Sequence, residues 1–82
     1  MNVSQSIEWK QARVEELHGH RFLARTWNGN TLDSHLAVHG VGPMTYLTDQ
    51  DFNIPIIIIG RGTQPNTLAP AIRSINVLEE RS

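Results

Sequence analysis

The sequence predicts a mainly β fold, a small barrel or sandwich of five to six short, mostly antiparallel strands in a single domain over residues 1–82. Three observations predict it. Asn28-Gly29 separates two strand-like runs, RFLARTW and TLDSHLAVH, and that dipeptide is the strongest short-range hairpin signal. Ile56, Ile57, Ile58 and Ile59 follow one another without a break, a β-branched run suited to a strand covered on both faces. Turn-forming groups (GVGP, DQDFN, GRGTQPNT) separate the short apolar runs along the chain. A short helix fits at either terminus, so α+β is the alternative.

Taken in order, residues 3–17 read two ways. Ile7, Val14 and Leu17 make a helical stripe that Ser4 or Ser6 could cap, but Lys10 interrupts it. A short helix or irregular start followed by a strand near 11–18 is the preferred reading. A two-residue type I′ turn at Asn28-Gly29 would pair Arg25 with Leu32, Leu23 with Ser34 and Arg21 with Leu36. Leu23, Trp27, Leu32, Leu36 and Val38 would then share the core face, opposite Phe22, Ala24, Thr26, Thr31, Asp33 and His35. After a turn at 40–43, MTYLT is a short strand. DQDFN is a turn with Asx hydrogen bonding, and Pro55 pushes Ile54 to extended geometry. Residues 67–80 are again ambiguous. Leu68, Ile72, Ile75 and Leu78 have helical spacing, with Asn66 or Thr67 as a cap and Pro70 in the first turn. Residues 72–78 are equally rich in strand formers.

Composition excludes several classes. The chain has no cysteine, so it has neither a disulfide framework nor a thiolate metal site. Seven Lys and Arg against eight Asp and Glu give a net charge of −1, which makes no case for DNA or RNA as a partner. No apolar run approaches the ~20 residues of a membrane span. The first residues lack the pattern of a signal peptide, so a cytoplasmic location is expected. At 82 residues the chain has a thin stability margin, and homo-oligomerisation is the expected remedy.

Two candidate sites emerge. Gly60-Arg61-Gly62-Thr63 follows a strand and would present backbone N–H groups and a guanidinium to an anion, with a helix starting near Thr67 adding its positive end. Arg73 and Trp27 are candidates to join it, the second by stacking a base. The competing reading is that Gly60 and Gly62 supply turn geometry and Arg61 is solvated. The second site is a metal-binding cluster of His18, His20, His35 and His39. The two-residue turn would place all four on one face, with Asp33 as a further ligand or supporting carboxylate. The preferred expectation is no metal and no cofactor.

Asp49-x-Asp51-x-Asn53 is not a calcium loop, because Ile54 and Gly60 stand where glycine and glutamate are required. Ser34 cannot form a triad with Asp33 and His35, since neighbouring strand residues point to opposite faces. The expected function is therefore non-enzymatic: a homo-oligomeric binding module that captures a small nucleotide- or phosphate-like anion. The alternatives are a structural or protein–protein interaction subunit and a His-rich metal-binding protein.

Overall fold

The computed structural model describes residues 6–41 and 44–81. The fold is mainly β, as the turn spacing predicts: the described residues form six antiparallel strands in a curled half-barrel and one short helix. The elements are α1 (Val14–Leu17), β1 (His20–Thr26), β2 (Thr31–Val41), β3 (Met44–Asp49), β4 (Pro55–Ile58), β5 (Thr67–Leu68) and β6 (Ile72–Arg81). The sheet order is β5-β4-β3-β2-β1-β6, so five strands meander and the sixth crosses to the free edge of β1. Each neighbour reverses direction, which gathers the turns at 27–30, 50–54 and 69–71 at one end. The 59–66 loop and α1 lie at the other. Of the predicted turn at 40–43, residues 42–43 lie outside the described residues, as does Ser4.

The ambiguous segments resolve towards strand. Residues 67–81 form β5 and β6 rather than a helix, since the β-branched residues of β6 gain a full-length partner in β1. Among the described N-terminal residues only Val14–Leu17 is helical, and no strand forms near 11–18. Four residues are too few for a self-supporting helix, so tertiary burial of Leu17 holds it. Residues 6–13 instead make an extended strap. Ser6 bridges Leu78, the Ile7 N–H donates to the Val77 carbonyl at 2.8 Å, and the Lys10 carbonyl accepts from the Asn66 N–H at 2.8 Å.

The first hairpin corrects the sequence register by one residue. Arg21 faces His35, Phe22 faces Ser34 and Ala24 faces Leu32. The loop has three residues, Trp27, Asn28 and Gly29, closed by Thr26 N–H to Asn30 carbonyl at 2.9 Å and Gly29 N–H to Thr26 carbonyl at 3.1 Å. Gly29 takes φ +91°, as the third residue of a type I turn with a G1 bulge requires. Thr26 bonds the Asn28 side chain and accepts from the Asn30 N–H, which favours the longer loop. One added loop residue turns β1 over relative to β2, so its two faces exchange while those of β2 keep theirs. Phe22 and Ala24 therefore join Leu36 in the core, and Leu23 is half-buried on the other face; Trp27 is exposed in the loop, and Val38, on the Leu36 face, is exposed towards the far end of β2.

The isoleucine run is less uniform than its composition. A bulge opposite Leu47 and Thr48 makes Ile56 the extra residue, so Ile56 and Ile57 are both fully buried. Ile58 is half-buried at the strand end, and half-buried Ile59 lies beyond it. The core joins these to Leu17, Phe22, Leu36, Leu47 and Val77. Asp49 is buried too, and its Oδ1 accepts from the N–H groups of Phe52 (3.2 Å) and Ile54 (2.9 Å). That Asx turn shapes the 50–54 connection and lets Asn53 sit at φ +56°.

Candidate functional site

The loop after β4 is built around Asn66. This side chain is buried, and its Oδ1 accepts from the Gly60 N–H at 2.9 Å. Its Nδ2 donates to the carbonyls of Trp9 at 2.7 Å and Ala12 at 2.9 Å. With its own N–H on Lys10, Asn66 fastens the strap, the glycine loop and the start of β5 to one another. Asparagine suits this position because it carries acceptor and donors on one short planar group. No helix starts at Thr67, so its predicted positive end is absent from the loop.

The loop itself is a tight turn. The Gln64 N–H donates to the Arg61 carbonyl at 3.0 Å, and Gly62 takes φ +59° at the first central position, as a type II′ turn demands. A Cβ on Gly60 would lie 2.2 Å from the Gln64 carbonyl oxygen and 2.5 Å from that of Pro65, so the position admits only glycine. Those carbonyls and the engaged Gly60 and Gln64 amides leave the Gly60 side of the loop rich in acceptors. A cleft of about 350 Å³ on that side is lined by Thr45, Ile58, Gly60, Arg61, Gln64 and Pro65. A second cleft, about 360 Å³, lies between the loop and the strap, where Lys10 and Arg13 come to Gly62 and Thr63 with Glu15 beside them.

Trp27 and Arg73 do not join that site. They stand together at the opposite end of the sheet, with the guanidinium carbon 5.8 Å from the indole centroid. Trp27 is 69% exposed, and Phe52, on the neighbouring 50–54 turn, is 73% exposed. A shallow apolar cleft of about 380 Å³ at this end is lined by Trp27, Asn28, Leu32, Ile54 and Ala71. Trp27 donates its N–H to the Ala71 carbonyl at 3.3 Å, which ties two of the three turns together. No family model, curated protein or solved structure matches the chain.

The one-residue register shift also separates the histidines, and no group of three or more metal-ligating side chains occurs among the described residues. His20 is buried beside β6, where its Nδ1–H donates to the Leu78 carbonyl at 2.8 Å and its Nε2 accepts from Arg81 Nε at 2.9 Å. Both ring nitrogens are thus engaged within the protein. His18 Nδ1 accepts from the Val38 N–H at 3.3 Å, and His39 stacks on Tyr46 at 5.8 Å. His35 and Asp33 lie on the face opposite His20. Asp33 is taken by Arg21, whose Nε and Nη2 donate to its two oxygens at 2.9 and 2.7 Å while Nη1 reaches Glu80 at 3.2 Å. The hydrogen bonds to Asp33 and then Glu80 raise the Arg21 guanidinium above its ordinary value, and the Arg21 bond holds Asp33 below the usual carboxylate range. These groups form an exposed structural clasp across β1, β2 and β6.

Sequence reasoning missed Asn66, because a polar side chain that bonds three backbone groups, two of them more than fifty residues away, leaves no periodic trace. Lys10 and Arg13 were equally hidden, since only the strap brings them to the loop. Phe52 had one available signal: a large aromatic within a turn-forming cluster.

Proposed function

We propose that this chain is a non-enzymatic protein–protein interaction module that self-associates through the end carrying Trp27 and Phe52. The observation that carries the reading is that exposure of two large aromatics at neighbouring turn tips. Each would offer apolar area to water for no structural return, whereas in a contact it becomes the type of anchor on which binding energy concentrates. Arg73 lies over the Trp27 ring and limits its rotation, which lowers the entropic cost of docking. Leu32, Ile54 and Ala71 offer a shallow apolar recess for a partner copy's aromatic ring. A symmetric dimer would use this same patch on both copies, and an 82-residue protomer has most to gain from the added burial.

Sedimentation velocity over a concentration series tests this directly. Wild-type protein is expected to associate reversibly, and Trp27→Ser with Phe52→Ser to shift it to monomer, each change weakening the contact by roughly 2 kcal/mol, or about thirtyfold. A wild-type chain that stays monomeric at its highest soluble concentration rules the reading out.

A second reading, capture of a small phosphate-like anion, is favoured by Lys10 and Arg13 facing the Gly62-Thr63 backbone across one cleft. It moves the ligand from the Arg61 side of the loop to the strap side. Calorimetry with pyrophosphate is expected to show binding that Lys10→Glu with Arg13→Glu reduces at least tenfold, about 1.4 kcal/mol. Equal affinity in the double variant, or no heat from wild type, discards it.

A further inference from the structure

The half-barrel is not closed, and its seam runs between β5 and β6, the two ends of the sheet order. The chain fills the lower half of this seam itself with an extended segment. On the β6 side, the outward Val77 carbonyl accepts from Ile7. On the β5 side, the outward Asn66 N–H donates to Lys10. Two residues higher on each strand the same strand alternation aims the backbone groups of Ile75 and of Leu68 into the seam. The ladders agree: Ala24 and Ile75 are a pair in register, and Ala69 N–H to Ile56 carbonyl at 2.9 Å turns the Leu68 groups away from β4. Among the described residues no backbone group meets them there. A groove of about 560 Å³ occupies this upper half, floored by the half-buried side chains of Trp9, Leu68 and Ile75. Lys10 is the charged side chain on its lining, with its Nζ 5.9 Å from the Trp9 ring centroid.

We propose that the upper seam binds a short extended peptide segment of a partner protein, which adds a strand to the β6 edge above the strap. The occupant is extended because both walls are strand edges whose amide and carbonyl groups stand ready to pair, and the chain's own strap already uses each edge in that way. A backbone in this slot satisfies Ile75 on one side and reaches Leu68 on the other. Its inward side chain is apolar, to rest on Trp9, Leu68 and Ile75, and a side chain near Lys10 is acidic. This is recognition by strand addition, with main-chain bonds giving affinity and alternate side chains giving selectivity. The site is distinct from the Trp27–Phe52 patch and does not depend on self-association.

The test is an amide-resolved NMR titration with a capped pentapeptide, Thr-Ile-Glu-Ile-Thr, beside two relatives: one N-methylated at the central residue and one with Lys replacing Glu. Millimolar binding is expected, with shifts centred on Leu68, Ser74 and Ile75. N-methylation is expected to weaken it about tenfold by removing a main-chain donor. In a Lys10→Glu protein the preference between the Glu and Lys peptides should reverse, because Lys10 is exposed and its backbone bond survives the change. Absence of shifts, equal binding of the N-methylated peptide, or shifts centred on Trp27 and Phe52 would each overturn the proposal. So would Leu68 and Ile75 amides that move with protein concentration alone, which assigns the seam to a second copy. Self-association is read separately by sedimentation, so either proposal can fail without the other.

Discussion

Replacing Asn66 with Ala is expected to lower the unfolding free energy by about 3 kcal/mol in a denaturant titration, a large share of the 5–15 kcal/mol typical of a small domain. The substitution leaves three backbone groups without their partner: the Gly60 N–H and the carbonyls of Trp9 and Ala12. Each orphaned group costs roughly 1 kcal/mol or more where water reaches it poorly. The bond from the Asn66 N–H to Lys10 is backbone-borne and survives, so the strap loosens without detaching. Asn66→Asp is the informative companion. It keeps an acceptor for Gly60 but sets a carboxylate against two carbonyl oxygens, so it should be no more stable than the alanine variant. A loss under 1 kcal/mol for both would show that the clasp is incidental and that the strap and loop are held by packing.

This clasp marks the boundary of what the sequence could reveal. The strand content was legible because turn chemistry and β-branched runs are local signals: the Ile run, the DQDFN turn and the Asn-Gly hairpin all act within a few residues. The Asx turn at Asp49 is of this kind, since its bonds to Phe52 and Ile54 span three and five residues. The strap is not. Its fate is fixed by Val77 and Asn66, more than fifty residues away, and nothing near Ile7 or Lys10 announces an edge to be covered. The geometry of the glycine loop was hidden for a related reason. Gly60 and Gly62 were found as glycine positions, yet whether a loop displays amides or carbonyls depends on its closure, which Asn66 dictates. Trp27 and Arg73 were expected beside the glycine loop, but nothing local to either residue gives its place in the sheet. The topology gave them to each other at the far end of the sheet.

The sharpest test of the hairpin register compares neighbours: Phe22→Ala is expected to cost about 3–5 kcal/mol, and Leu23→Ala roughly 1 kcal/mol. Phe22 is fully buried in the core cluster, where truncation both removes transfer free energy and leaves a cavity that surrounding isoleucines cannot collapse to fill. Leu23 stands on the other face, half-buried between Asp33 and Asn76, the residues it pairs with on β2 and β6. A two-residue turn at Asn28-Gly29 would exchange these roles and so invert the order of the two costs. The three-residue loop wins because that other register would bury Arg21 and Arg25 beside Leu23 while exposing Phe22. Charge burial of that kind far exceeds the small difference between turn types. Local turn preference proposes a register, and the alternation of Phe22, Ala24 and Leu36 against Arg21, Leu23 and Arg25 decides it. If Leu23→Ala proves the costlier change, that ranking of forces is wrong for this hairpin, and the face assigned to every residue of β1 must be reversed.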